Sequence, residues 1–318
     1  MGRLLRKSGR YLLAIWLITS INFILPRAMP GDPVLNLLGE DFLLSEEQVE
    51  DLRAELGLDQ PPHIQYLKYL RDVLGLNFGY SYHFNEDVTG LVAGRMGWTL
   101  LLVGPAILLG AAVGGCSGAL AGWHAGSPQE RVATSLALML YATPPYFLAL
   151  ILLYVFAVEY PLFPLKGFYT TGTWINILKH LTLPVAALTL FSASRNFMIM
   201  RGSVLQEEKR LYVNYARAKG LVGASVLFKH VAQNASPPLV TLVALDFGFI
   251  FSGALFVEII FSMNGMGVLI FDALMSRDYP VLQGTFLVIT FMVIAANFIA
   301  DLLYGWIDPR VRVSGSSI

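Results

Sequence analysis

No Asp, Glu, Lys or Arg stands between Arg95 and Glu130, and none between Arg131 and Glu159. About 20 consecutive apolar residues cross a bilayer, so two tandem intervals of this kind commit the chain to a membrane. The pattern predicts six spans in all: the first between Arg10 and Arg27, then about 98–122, 132–158, 180–200, 235–257 and 278–301. Composition agrees, because 14% charged residues are too few to cover a soluble fold, where about 25% is usual. The single cysteine, Cys116, excludes an intrachain disulfide, and no Cys/His cluster has metal-ligand spacing. The expected fold is therefore all-α and polytopic, one transmembrane domain over 1–318.

Charge placement orients it. Basic residues concentrate before the first span (Arg3, Arg6, Lys7, Arg10), at Arg131, in the fourth-to-fifth connection (Arg201, Lys209, Arg210, Arg217, Lys219, Lys229) and at Arg310 and Arg312. The segment from Arg27 to Gly97 instead holds twelve acids. The Lys/Arg bias of loops near spans predicts that both termini are cytoplasmic and that 28–97 forms an extracytoplasmic cap. Basic residues before a short apolar run also resemble a secretory signal. No small-x-small site closes that run, however, and its removal would leave an odd number of spans. Within the cap, Ser45 to Gln48 reads as an N-cap with Val49, Leu52 and Leu56 at helical spacing. Pro61 and Pro62 open a second helix bearing Ile64, Leu67, Leu70 and Leu74 and ending near Gly75.

Catalytic signatures fail one by one. Gly-Lys occurs nowhere, so there is no phosphate-binding loop of the Walker type. Gly265 and Gly267 are followed by Ile270 rather than the third glycine of a dinucleotide site, and neither His-Glu-x-x-His nor a nucleophile elbow is present. The chain is expected to be no enzyme and to bind no metal.

Gly110, Gly114, Gly118 and Gly122 recur every four residues along the second span, which predicts close helix packing. Pro144 and Pro145 predict a kink in the third. Arg195 and Asp246 are the charges set deepest in spans, and such charges require a partner or water; they suit pairing with each other or with a neighbouring subunit, or the lining of a polar pathway. Glu258, at the outer end of the fifth span, is a weaker candidate for the same roles. His180 and His230, at span edges, read as structural. The loop 201–234 is the most distinctive segment. It contains an amphipathic turn from Tyr215 to Gly220 whose small residues flanked by cations suit docking onto another protein.

Several segments together resemble the permease subunits of bacterial ATP-binding-cassette importers for dipeptides, oligopeptides and nickel. They are Pro30-Gly31-Asp32-Pro33; Leu56-Gly-Leu-Asp59-Gln-Pro61; Phe78-Gly79-Tyr80-Ser81; Tyr212-Val213 with Ala216-Arg-Ala-Lys-Gly220-Leu221; Phe256-Val-Glu258 to Phe261; Gly265-Met-Gly267; Arg277-Asp278-Tyr-Pro280; and Asp308-Pro-Arg310. Asn214 departs from the Glu with which this loop often begins, and Gln233 and Asn264 each stand where proline is frequent.

The resemblance implies an inner-membrane permease that pairs with a second, similar permease and with two cytoplasmic ATPases. These ATPases bind ATP and Mg, no cofactor is bound by this chain, and an extracytoplasmic binding protein delivers the solute. It further implies that Tyr212, Tyr215, Ala216, Arg217, Ala218, Lys219 and Gly220 couple the permease to the ATPases. The rival reading is a stand-alone ion-coupled transporter or channel using Arg195, Asp246 or Glu258.

Overall fold

A computed structural model describes residues 2–27, 50, 53, 59–81, 83–248 and 254–307. The Pro30–Pro33 element, the first cap helix over Ser45–Leu56 and the Asp308–Arg312 tail lie outside them. The described chain is mostly helical: α1 (Gly2–Arg27), α2 (Pro62–Leu74), α3 (Val88–Trp123), α4 (Pro128–Ala142), α5 (Pro145–Leu153), α6 (Trp174–Glu207), α7 (Leu211–Ala218), α8 (Gly223–Val226), α9 (Ala232–Ala235), α10 (Pro237–Gly248), α11 (Leu255–Ile260), α12 (Met266–Met275) and α13 (Tyr279–Ile307). Two π-helical turns, Tyr154–Glu159 and Leu227–Val231, follow α5 and α8.

Among the described residues, three helices are long and apolar enough to cross a membrane: Val88–Trp123, Trp174–Glu207 and, within α13, Tyr279–Phe298. The pair α4 and α5 makes a fourth if taken as one bent span. Its axis turns by 98° at the expected place. Thr143, preceding a proline, is forced out of helical geometry (φ −90°, ψ 121°), and Pro144 has no N–H with which to carry the ladder across. Where the first span is expected, α1 has an apolar stretch of Gly9–Ile24. Where the fifth is expected, α10 contributes 12 residues and α11 6, on either side of residues 249–253.

Contacts divide the chain into two compact units, Met1–Trp98 with Asn264–Ile294, and Thr99–Met263 with Ala295–Ile318. In the first unit, α2 opens at Pro62 and stops at Gly75 as its sequence predicts. It packs through Tyr66 and Tyr69, whose rings lie 5.1 and 5.4 Å from that of Phe23, while Ile64, Leu67 and Leu74 stay exposed. A two-residue antiparallel ribbon, β1 (Tyr80–Ser81) with β2 (Glu86–Asp87), is a feature that helical periodicity did not reveal. Its buried Ser81 hydroxyl donates to the carboxylate of Asp278, whose other oxygen accepts the Val281 N–H and so caps α13. Asn22 of α1 and Gln283 of α13 each donate a side-chain amide to the other's backbone carbonyl, at 3.0 and 2.7 Å.

In the second unit the glycine stripe of α3 lies against α6. A Cβ at Gly110 would stand 2.5 Å from Ser192 Oγ, one at Gly118 2.5 Å from the Phe197 carbonyl, and one at Gly122 2.8 Å from the Arg201 carbonyl. Only glycine lets these two backbones approach so closely.

Candidate coupling site and intramembrane charges

Helix α7 is the centre of the distinctive loop. Its end is built by two bonds of a Schellman motif, Gly220 N–H to the Arg217 carbonyl at 3.0 Å and Leu221 N–H to the Ala216 carbonyl at 3.4 Å. The motif needs a left-handed residue, and Gly220 supplies it with φ +80°. One face of α7 is inside: Val213 and Ala216 are buried with Ala119, Met200, Val204, Val226, Leu227, Val231 and Ala235 in a single apolar cluster. That cluster joins α7 to the ends of α3 and α6.

Polar contacts reinforce the joint. Tyr212 Oη donates to Glu207 at 2.8 Å, and burial, followed by that bond, pushes the phenol's pKa up so that it stays a donor. Arg217 donates to Glu208 at 2.7 Å and lies 4.8 Å over the Trp123 ring. The opposite face is bare, with Leu211 74% and Tyr215 69% exposed and Asn214, Ala218, Lys219 and Gly220 exposed beside them. Of the seven residues expected to couple, Ala216 thus faces inward and Tyr212 is half-buried, whereas the other five are on the surface. Leu211 and Val222, the latter 75% exposed, extend the bare face and were missed by a reading centred on cations and small residues. Their signal was apolar side chains standing between charges.

A second tie was also missed. Glu130 is buried in the first turn of α4, accepts from Thr134 Oγ1 at 2.9 Å and pairs with Arg201 near the end of α6. Ser127 caps this turn by accepting the Glu130 N–H at 3.2 Å, a start signal legible in Ser127-Pro128-Gln129-Glu130.

Higher in the same unit, Arg195 of α6 and Asp246 of α10 form an ion pair with side chains 29% and 14% exposed. Glu258 is completely buried and accepts from Thr99 Oγ1 at 2.6 Å. That bond ties it to Thr99 of α3, whereas Arg195 and Asp246 bond to each other. His180 is buried, its Nδ1 2.8 Å from the Asn176 carbonyl, and His230 is half-buried with its carbonyl accepting from Asn234.

Residues 114–313 match the family described as binding-protein-dependent transport system inner membrane component, and residues 1–103 match its N-terminal companion. The chain belongs to this family of membrane transport permeases. It is 37% identical over 301 residues to a putative peptide permease protein of Brucella ovis, covering 93% of this chain and 94% of that protein. It is 33% identical over 333 residues to the dipeptide transport system permease protein DppB of Escherichia coli K12, covering 97% and 98%. A probable peptide ABC transporter permease of Sinorhizobium fredii is 32% identical over 291 residues, covering 91% and 92%. The family resemblance read from the sequence is thereby established.

Proposed function

We propose that this chain is a non-catalytic permease subunit of an ATP-driven importer for short peptides. It would form the translocation path with a second permease and receive solute from an extracytoplasmic binding protein. In the six-span reading with cytoplasmic termini, α7 lies on the side where ATP is found. One observation carries the mechanism: α7 is bare on the face that carries Leu211 and Tyr215 and welded on the other to the ends of α3 and α6. A partner ATPase that grips the bare face moves the spans with it, because a close-packed interior transmits displacement. ATP and Mg belong to that partner; this chain supplies a path and a lever.

The names of the relatives support peptides over nickel chelates. Arg195 and Asp246 are proposed to pair within the membrane and fasten α10 to α6, with Glu258 holding α11 through Thr99. The reading is tested by gentle extraction of the tagged chain and mass-spectrometric stoichiometry of what remains bound. Two ATPase subunits and a second permease are expected; a homo-oligomer without ATPase would reject it.

A further inference from the structure

The first unit contains a cavity of about 270 Å³ that the coupling mechanism does not use. Its floor is apolar, with Val73, Phe78 and Leu287, and its rim carries Arg27, Lys68 and Asp72. The rim charges are available. Neither the Lys68 ammonium nor the Asp72 carboxylate has a side-chain partner among the described residues, and as i,i+4 neighbours on α2 they stand about 6 Å apart at Cβ. Arg27 gives Nε and Nη2 to Gln65 Oε1 and Nη1 to the Phe23 carbonyl, which leaves part of its five-donor fork for a ligand. The guanidinium is held in place by the Phe23 ring, 3.7 Å away.

Location narrows the ligand. The exposed apolar face of α1 runs from Leu12 through Trp16 and Ile21 to Ile24. Arg27 follows it by one turn, at the level where lipid headgroups begin if α1 crosses the bilayer, a point on which this inference rests on the proposed six-span reading.

We infer that the cavity is a binding site for a zwitterion, its anionic group held by Arg27 and Lys68 and its primary ammonium by Asp72. Such a ligand comes from two sources, the headgroup of a phosphatidylethanolamine-type lipid or a free short peptide. A quaternary ammonium has no N–H to give Asp72, and phosphatidylglycerol offers that carboxylate only a neutral hydroxyl in place of a charged donor.

The test is native mass spectrometry of the purified full chain with added phosphatidylethanolamine, phosphatidylcholine or phosphatidylglycerol, and separately with dialanine. Retention of phosphatidylethanolamine about tenfold over the other two lipids is expected, the scale of one charge-assisted hydrogen bond. Asp72→Asn should abolish that preference, and Asp72→Glu, which keeps the carboxylate, should restore it. Dialanine retention that disappears in Asp72→Asn would support the same site with the free ligand as its source. Equal retention of all three lipids together with no dialanine binding would overturn the inference, as would a preference unchanged by Asp72→Asn. Since nothing in this assay measures uptake or ATP, it fails or succeeds separately from the importer assignment.

Discussion

Arg201 donates its Nε–H to one oxygen of Glu130 at 2.7 Å, and its Nη2 stands 2.6 Å from the same oxygen in the ion pair. The pair ties the start of α4 to the end of α6, just before the chain turns into α7. Removing one partner of a buried ion pair strands the other in a place it cannot leave cheaply. Glu130→Ala should lower the thermal unfolding midpoint in detergent more than Glu130→Gln, which still accepts a hydrogen bond. Arg201→Lys should not behave as wild type, because an ammonium lacks the planar fork that reaches a single oxygen from two nitrogens. Unaltered midpoints in all three variants would show that the pair does not fasten α4 to α6.

The α3–α6 contact makes a quantitative expectation. A side chain at Gly118 meets the backbone of Phe197, which has no rotamer with which to move aside. Gly118→Val should destabilise the second unit by about 1–3 kcal/mol, the range for overpacking. Gly126, with φ +84° but nothing near its missing Cβ, is the control: Gly126→Ala should cost only backbone strain. Denaturation of the two variants side by side separates close packing from loss of glycine in general.

Much of this was legible in the chain, for reasons that differ by element. The glycine stripe, the break at Pro144 and the stop at Gly220 are local: each follows from what one residue type does to its own backbone or its own helix face. The pairings are not local. Ser81 meets Asp278 across 197 residues and Arg201 meets Glu130 across 71, and no periodicity sets such registers. Arg195 and Asp246 could be singled out, because charges inside spans need partners, yet only the fold shows that they partner each other. Ala216 shows the opposite limit, since its place in a family motif says nothing of which way its side chain faces.

For that intramembrane pair, a double-mutant cycle reads the coupling. Arg195→Gln and Asp246→Asn each leave one charge without its mate, so each alone should reduce the amount of folded, inserted protein. The double variant should recover most of the loss, since replacing both partners of a buried pair is often tolerated. Additive losses would show that the two side chains act separately.

Asp278 joins two jobs, capping α13 and receiving the Ser81 hydroxyl. Asp278→Ala should therefore cost about 1–2 kcal/mol from the cap and the orphaned hydroxyl. Asp278→Asn, which keeps an acceptor for the Val281 N–H, should cost less. The order of their unfolding midpoints checks both roles.

The proposed role of α7, to transmit the work of ATP to the spans, is most exposed to test at Gly220. Nothing lies near its missing Cβ, so Gly220→Asp disturbs only the αL turn and the docking face. Uptake of a labelled dipeptide and ATP hydrolysis should be measured in the same proteoliposomes containing the assembled transporter. Uptake is expected to fall at least tenfold while insertion is normal and hydrolysis continues, so that transport per ATP collapses. Uptake and its ratio to hydrolysis both equal to wild type would contradict that role.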